Sequence, residues 1–240
     1  MKIRRPMTIV MAYYENAEML NRHLLEWVQY PARFKKNLRA IIVDDGSPKN
    51  PASQLMQQMI EVGFLVNLFR IKEDIPWNQN GARNLAMTHA NGWCLLTDMD
   101  HLLSVDQLPA LFSMRLKKAK HYMPLRRKAI TLEQYKRHPN TYVLHRDAYW
   151  DIGGFDESYA GYYGTDSTFR KRLKQNSKLV KTDVFVMTLF GREVIADAST
   201  TVYGRKGTKY HVSKNQELNE RKKRTPDPIQ PLNFEWEQLL

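Results

Sequence analysis

The sequence predicts an α/β protein with a central, mainly parallel β-sheet flanked by helices. Short apolar runs alternate with helical patterns along the N-terminal half of the chain, and this alternation is typical of βαβ units. Each run is apolar at consecutive positions, as expected for strands that are buried on both faces. The chain has 240 residues, which is enough for one large domain with a sizeable core.

The elements of the N-terminal half follow one another in strict alternation. The predicted strands span residues 7–13, 40–43, 64–71 and 93–97. The helical patterns between them begin at Asn16, at Pro51 and at Asn80 or Gly81. The first helical pattern ends before Pro31, which is a helix-stop signal. The second strand stops at Asp44-Asp45-Gly46-Ser47-Pro48, a segment rich in turn-forming residues.

The pattern is less regular after His101. It predicts a helix over 106–118, a strand over 142–145, an amphipathic basic helix over 165–175 and a strand over 179–187, whereas the basic stretch 119–142 predicts no single element. We expect one domain over 1–213 and a polar, basic, proline-containing peripheral tail over 214–240. The end of this tail carries Phe234 and Trp236 and is expected to dock on the domain or on a partner.

Charge and composition narrow the classes of partner. The net charge of +12 favours binding of anions such as nucleotides, nucleic acid or an anionic membrane surface. Cys94 is the only cysteine, so an intrachain disulfide is excluded and a reducing, cytoplasmic compartment is expected. No apolar stretch approaches the roughly 18–20 residues that span a bilayer, so any membrane association is expected to be peripheral.

Acidic residues gather where the predicted strands end. Asp44 and Asp45 follow the second strand, and Asp98 and Asp100 follow the fourth. Parallel sheets bind ligands at the carboxyl ends of their strands, so these carboxylates are expected along one edge. Two acids this close repel each other unless a cation lies between them, and Mg²⁺ or Mn²⁺ with a diphosphate suits such oxygen ligands. An Asp-x-Asp pair on its own also fits a solvated turn.

Six segments, taken in order, carry a family resemblance. They are Ala12-Tyr13-Tyr14-Glu15-Asn16, Ile41-Ile42-Val43-Asp44-Asp45-Gly46-Ser47, Asn80-Gly81-Ala82-Arg83-Asn84-Leu85-Ala86, Leu96-Thr97-Asp98-Met99-Asp100, Gly153-Gly154-Phe155-Asp156-Glu157 and Gly161-Tyr162-Tyr163-Gly164-Thr165-Asp166. Over residues 7–186 the chain resembles the glycosyltransferases of the Rossmann-like GT-A fold, specifically those of the family 2 type. The resemblance implies a nucleotide-sugar donor, a divalent metal and transfer to an acceptor hydroxyl.

The resemblance also implies roles for the residues of the nucleotide site. Asp45 would accept a hydrogen bond from the base, which matches the imide N–H of uracil or thymine and fits a guanine edge less simply. Ala12 and Tyr14 would line the same pocket. Arg83 would lie near the nucleotide, where a guanidinium suits base carbonyls or phosphate. Taken alone, the turn at Asp45 also fits an Asx turn, and Arg83 also fits a surface ion pair.

Three residues are candidates for the metal site, which would hold Mn²⁺ or Mg²⁺. The resemblance implies that Asp100 binds the metal directly, whereas Asp98 contacts the ribose or a metal-bound water. His211 is a further candidate, because some relatives supply a late histidine ligand and imidazole is compatible with Mn²⁺. A lone histidine is more often structural.

The acceptor side of the site is expected in the segments after residue 150. Asp166 matches the second acid of a family Glu-Asp pair and is the candidate general base, although Thr165 stands at the first position and either residue fits a helix cap. The residues assigned to the donor sugar and the acceptor are Gly154, Asp156, Tyr162 and Tyr163. Each aromatic residue taken singly also fits an ordinary core position.

The resulting hypothesis is a metal-dependent hexosyltransferase or N-acetylhexosaminyltransferase that uses a UDP-sugar and a glycan, lipid-linked or protein acceptor. Asp166 favours inversion, although some relatives with the Gly-Gly-Phe-Asp-Glu segment are retaining enzymes. A nucleotidyltransferase is disfavoured because the first strand is not followed by a glycine-rich basic loop. The other alternative is an inactive transferase-fold protein that binds nucleic acid or an anionic surface. The net charge supports this alternative, and the retained acids oppose it.

Overall fold

The computed structural model describes residues 5–161, 166–189, 195 and 232–240. In chain order the strands are β1 (Met7–Tyr13), β2 (Leu38–Asp44), β3 (Leu65–Ile71), β4 (Trp93–Leu96), β5 (His101–Leu102), β6 (Lys120–Lys128), β7 (Gln134–Tyr135), β8 (Tyr142–His145), β9 (Lys178–Thr188) and β10 (Trp236–Gln238). The helices are α1 (Ala17–Val28), α2 (Ala32–Lys35), α3 (Met56–Glu61), α4 (Gln79–His89), α5 (Leu108–Ser113), α6 (Arg146–Trp150) and α7 (Asp166–Asn176).

The ten strands of the described residues belong to one sheet, in the order β10-β3-β2-β1-β4-β8-β6-β9-β5, with β7 paired to β6. Strands β3, β2, β1 and β4 run parallel to one another, as the alternation of strands and helices predicts. Strand β8 then pairs antiparallel with β4, and β10 pairs antiparallel with β3. The predicted central sheet with its parallel core is confirmed.

Helices cover both faces of the sheet, and the side chains of β1 show how. Ile9 and Met11 belong to one apolar cluster, whereas Val10 and Ala12 contribute to the other, because successive strand residues point to opposite faces. The first cluster includes α1 residues such as Leu20, Leu24 and Trp27. The second includes α4 residues such as Ala82, Leu85 and Ala86. The consecutive apolar positions of the strands therefore reflect burial on both faces.

The helix expected over 106–118 is much shorter in the structure. A 3-10 turn at Val105–Gln107 leads into α5, which ends at Ser113. The Tyr122 hydroxyl accepts a hydrogen bond from Lys117 N (2.8 Å) and donates one to the Arg115 carbonyl (3.2 Å). These bonds hold the two residues on either side of buried Leu116 and satisfy backbone groups that a longer helix would have used.

The basic stretch without a predicted element contains β6, the nine-residue strand next to β8. The C-terminal residues supply β10, which lies at one edge of the sheet, next to β3. Residues 214–231 of the expected peripheral tail lie outside the described part of the chain. Among the residues that the structure describes, no helix has the length and apolarity needed to cross a bilayer.

Candidate active site

The parallel ladders bring the acidic segments to one edge of the sheet. Asp45 N donates to the carbonyl of Tyr13 (2.9 Å), and Thr97 N donates to the carbonyl of Val10 (3.1 Å). The turns after β2 and β4 are therefore both bonded to β1. Asp45 and Asp98 leave the sheet on either side of this strand, as the strand-end argument predicts.

The two adjacent acids at the end of β2 have different environments. Asp44 accepts hydrogen bonds from Ser47 N (2.9 Å) and Ala52 N (2.7 Å), so its carboxylate builds the turn. Glu15 supports the same loop by accepting from Lys49 N (2.7 Å) and Asn50 N (3.1 Å). Asp44 is therefore committed to the fold, which leaves Asp45 for a ligand.

Asp45 is 5% exposed, and its Oδ1 atom has no hydrogen-bond partner among the described residues. Burial raises the pKa of Asp45 well above its usual range. Asp44 and Asp74 raise it further, against the lowering effect of the Asn78 amide and Arg83. A buried acceptor without a donor is costly, so a ligand N–H would stabilise this group.

The other two residues assigned to the base pocket lie at the end of β1. Ala12 is half-buried against the second apolar cluster. Tyr14 is also half-buried, and its hydroxyl donates to Asp74 (3.1 Å), one of the acids that raise the pKa of Asp45. The structure thus brings Tyr14 and Asp45 to one region through Asp74, a residue that the sequence analysis did not assign.

Arg83 and Asp98 form a buried ion pair. Arg83 is 1% exposed, its Nη2 atom contacts Asp98 Oδ1, and its guanidinium lies over the Phe155 ring at 4.8 Å. Asp98 Oδ2 also lies 3.6 Å from His138 Nε2 and accepts from Asn140 Nδ2 (3.4 Å). Burial raises the pKa of Asp98, but Arg83 and His138 outweigh this effect and hold the pKa well below its usual range. Asp98 is therefore an ionised residue fixed by Arg83.

Asp100 is held by a histidine that the sequence analysis did not assign. His101 is fully buried and contacts Asp100 Oδ1 through Nδ1, while Arg126 Nη1 lies 3.5 Å from His101 Nε2. Because arginine only donates, Nε2 accepts and Nδ1 carries the proton that His101 donates to Asp100. The carboxylate of Asp100 is 26% exposed, so it is oriented and still accessible to a ligand.

Two further histidines support the Asp-x-Asp turn. His138 stacks on His101 with ring centroids 3.9 Å apart. His23 of α1 donates from Nε2 to the carbonyl of Met99 (2.7 Å). Burial lowers the pKa of His23 and that of His138 to about 4, so both rings are neutral at pH 7. The position of His101 directly after Asp100 is the one sequence feature that marks this cluster.

The donor set around Asp100 fits a metal ion that arrives with its substrate. Among the described residues, no group of three or more His, Cys, Asp or Glu side chains is arranged to hold a metal ion. Asp98 is engaged by Arg83, which leaves Asp100 as the available carboxylate. Mg²⁺-type sites in which one or two carboxylates combine with substrate phosphates match this arrangement. The expected further ligand, His211, lies outside the described residues.

The Gly-Gly-Phe-Asp-Glu loop is bound to α4 through Asn84. The Asn84 Oδ1 atom accepts from Phe155 N (2.9 Å) and from the Tyr149 hydroxyl (2.5 Å), and its Nδ2 atom donates to the Phe155 carbonyl (2.8 Å). Gly154 has a φ of +68°, and a Cβ there would lie 2.7 Å from Asn84 Oδ1. Only glycine suits this backbone and this close approach.

The remaining predicted residues are placed as follows. Asp156 Oδ1 accepts from Ser158 N (3.0 Å) and Ser158 Oγ (2.6 Å) and caps a short 3-10 turn. Asp166 is the first residue of α7, and its Oδ2 atom pairs with Arg170 (3.1 Å). Burial raises the pKa of Tyr142, and the charges of Asp166 and Asp98 raise it further, so both acids lie within electrostatic range of this hydroxyl. Tyr162 and Tyr163 lie outside the described residues.

Comparison with known families agrees with this geometry. The family model described as "Glycosyl transferase family 2" matches residues 8–197. The chain belongs to glycosyl transferase family 2. The matched region contains Asp45, Arg83, Asp98, Asp100 and the start of α7. His211 and β10 lie beyond it.

Solved glycosyltransferase structures share the fold of this family 2 chain. GalNAc-T7 with UDP, GalNAc and Mn²⁺ has a TM-score of 0.64 at 15% identity, covering 90% of this chain and 48% of that one. The mannosyltransferase PcManGT from Pyrobaculum calidifontis, with GDP-Man and Mn²⁺, has a TM-score of 0.62 at 16% identity. This match covers 94% of the present chain and 67% of PcManGT.

S. aureus TarS 1-349 has a TM-score of 0.62 at 12% identity. The match covers 76% of this family 2 chain and 60% of the TarS chain. No curated protein matches the chain by sequence. Because all these identities are low, the structural likeness shows the GT-A fold and nothing finer.

Proposed function

We propose that the chain transfers a sugar from a nucleotide-sugar donor, most suitably a UDP-sugar, to a hydroxyl group of an acceptor. The observation that carries this proposal is the buried Oδ1 atom of Asp45, which lacks a partner among the described residues. An ionised carboxylate only accepts hydrogen bonds, so this atom suits the imide N–H of uracil. TarS with UDP-GlcNAc and GalNAc-T7 with UDP support this choice, and PcManGT with GDP-Man makes guanine the competing base.

The proposal includes a divalent metal, Mn²⁺ or Mg²⁺, for which Asp100 is the ligand. When bound, the metal supplies positive charge that stabilises the diphosphate leaving group. His101 orients Asp100, and Arg83 keeps Asp98 ionised for a ribose hydroxyl or a coordinated water. The two acids therefore have different roles, as their different partners indicate.

Asp166 is the proposed general base of an inverting transfer. Arg170 holds one carboxylate oxygen, which orients the group at the start of α7. The acceptor hydroxyl gives its proton to Asp166 while its oxygen bonds to the anomeric carbon. The bond between that carbon and the phosphate oxygen breaks, and the nucleotide diphosphate leaves with the electron pair. One displacement on the opposite face inverts the anomeric centre.

A screen of nucleotide-sugar turnover with Mn²⁺ tests the proposal on wild type, Asp100→Ala and Asp166→Asn. We expect wild type to hydrolyse one UDP-sugar slowly, Asp100→Ala to lose this activity, and Asp166→Asn to keep UDP binding while losing transfer. Equal turnover by wild type and Asp100→Ala would contradict the role of Asp100.

One observation favours a second candidate function, the binding of a polyanion. Residues 115–138 contain nine lysines and arginines and a single acid, Glu133. A protein that only binds nucleic acid would bind any polynucleotide with a steep dependence on salt, and UDP with Mn²⁺ would not raise its thermal stability. That outcome would replace the transferase proposal.

A further inference from the structure

The C-terminal segment Leu232–Leu240, which we call the C-terminal strap, is bonded along the free edge of β3. Strand β10 pairs antiparallel with β3. Lys72 N donates to the Glu235 carbonyl (3.0 Å), and Leu239 N donates to the Leu68 carbonyl (2.8 Å). The strap lies beyond residues 8–197, which the family model matches, so the family relationship assigns it no role.

Aromatic side chains of the strap reach the helix that carries the site. Trp236 packs against Phe69 and His89, with ring centroids 5.7 and 5.2 Å away. A Cβ atom on Gly81 would lie 2.5 Å from Phe234 Cε1, so the ring approaches the α4 backbone more closely than another residue would permit. Gly81 is in the first turn of α4, the helix that also carries Arg83.

The first two residues of the strap are hydrogen-bonded to Glu157 of the Gly-Gly-Phe-Asp-Glu loop. Leu232 N donates to Glu157 Oε1 (2.9 Å), and Asn233 N donates to Oε2 (3.1 Å). Leu232 has a φ of +67°, which is uncommon for a branched residue. Successive amides in such a turn form an anion-binding concavity. The strained backbone therefore directs two donors at one carboxylate.

Glu157 transmits the strap's position to the loop through Asn84. Glu157 is 6% exposed, and its Oε1 atom also accepts from Asn84 Nδ2 (2.7 Å). The same Asn84 amide group holds both backbone polar groups of Phe155. One continuous set of hydrogen bonds thus runs from the strap to the loop that contains Gly154.

We propose that Glu157 is a positioning residue for sugar transfer and that the C-terminal strap holds it in place. The inference rests on the proposed function, because it concerns the loop assigned to the donor sugar and the acceptor. Asp45, which we assign to the base, lies at the end of β2 and has no bond to Glu157. Glu157 therefore governs the rate of transfer and leaves UDP affinity unchanged.

The competing explanation is that the strap only covers a sheet edge, as edge strands commonly require. In that case a change at Glu157 would lower stability without a specific effect on turnover. The two explanations differ in their effects on kcat and on the motion of the loop, so both are measured.

A matched pair of variants supplies the first test, with stability, UDP affinity, donor KM and kcat measured for each. Glu157→Gln places the NH₂ group of its amide against at least one of the three N–H donors, from Asn84, Leu232 and Asn233, that Glu157 now accepts from. Glu235→Gln is the control, because the Glu235 side chain is 77% exposed and paired with Lys72. We expect Glu157→Gln to lower kcat about tenfold or more, the effect of losing one hydrogen bond to a charged group. We expect the UDP affinity and the donor KM of Glu157→Gln to stay at the wild-type level. For Glu235→Gln, all four measured quantities are expected to equal those of the wild type. Equal kcat for the two variants overturns the inference.

Hydrogen exchange on Phe234→Ala supplies a second test that does not depend on turnover or on Glu157→Gln folding. We expect faster exchange of the amides of residues 153–157 in Phe234→Ala and wild-type exchange in Glu235→Gln. Unchanged exchange in Phe234→Ala shows that the strap does not hold the loop and overturns the inference. A wild-type protein that neither binds UDP nor transfers sugar refutes the proposed function instead, and the exchange result then still shows whether strap and loop are coupled.

Discussion

Replacement of Asp45 by asparagine is expected to separate the stability of the protein from its affinity for UDP. The change keeps the size of the side chain and removes its charge. A hydrogen bond to a charged group contributes about 1.5–3 kcal/mol and a neutral one about 0.5–1.5 kcal/mol. The difference, roughly 1–1.5 kcal/mol, corresponds to about a tenfold weaker Kd for UDP.

The raised pKa of Asp45 makes the stability of the folded protein depend on pH. The folded pKa of Asp45 lies above its unfolded value because of burial and the nearby acids. Between the two pKa values the folded state holds a proton that the unfolded state has released, so stability falls as pH rises through that window. Asp45→Asn removes this loss and is expected to gain stability relative to wild type as pH rises.

Ligand binding follows the opposite trend, because a base N–H favours the ionised form of Asp45. We expect UDP affinity of the wild type to increase with pH and binding to release protons, as measured by calorimetry in buffers of different ionisation enthalpy. Asp45→Asn is expected to show neither effect. UDP affinity and pH dependence equal to those of the wild type would refute the assignment of Asp45 to the base.

Asp44→Asn is the matched control, one residue earlier. The two oxygens of Asp44 accept from two different backbone amides, Ser47 N and Ala52 N, and an asparagine offers only one acceptor oxygen. We expect this variant to lose about 1–3 kcal/mol of stability. Urea unfolding measures the loss, and a stable Asp44→Asn with impaired UDP binding would reverse the roles given to the two acids.

Three further predictions concern other parts of the site. Asp166→Asn should lower kcat for transfer by about 10²–10⁴-fold, the usual contribution of a general base, with UDP affinity unchanged; normal kcat would leave Asp166 as a helix cap. Arg83→Met should destabilise the protein by about 3–5 kcal/mol, because Asp98 loses its buried partner; Arg83→Met/Asp98→Asn should recover much of this loss in urea unfolding. Gly154→Ala should lose about 1–3 kcal/mol more stability than Gly92→Ala through overpacking. Both residues have a positive φ, but a Cβ at Gly154 would meet Asn84, whereas a Cβ at Gly92 meets nothing within 4 Å. Equal losses would mean that the contact with Asn84 is unimportant.

The sequence predicted the parallel core and the acidic edge because both follow from local rules. The strands are apolar runs, and turns after parallel strands must lie on one side of the sheet. The placement of Asp45, Asp98 and Asp100 along this edge needed no long-range information. The family resemblance then implied separate roles for the two acids of the Asp-x-Asp pair. The structure gives Asp98 and Asp100 different partners, Arg83 and His101, and the roles themselves stay a prediction.

Other features depend on contacts between distant residues, which no local pattern encodes. His138 lies in the basic stretch where no element was predicted. Strand β6 in this stretch buries His121 and Arg126 beside its apolar residues, so it shows no continuous apolar run. The bond between the strap and Glu157 joins residues 75 positions apart. The end of the predicted tail was expected to dock on the domain or on a partner, and residues 232–240 pair with β3, but the sequence did not indicate a bond to the loop of the site.

A calorimetric titration of UDP, with and without Mn²⁺, on wild type, Asp45→Asn and Asp100→Ala measures whether this edge of the sheet binds a nucleotide and a metal. The proposed site predicts one UDP per chain in wild type, strengthened by Mn²⁺. Asp45→Asn should weaken binding with or without metal, and Asp100→Ala should lose only the strengthening by Mn²⁺. Absence of UDP binding in wild type, or variants that bind UDP and Mn²⁺ as the wild type does, would contradict a nucleotide-sugar site at this edge of the sheet.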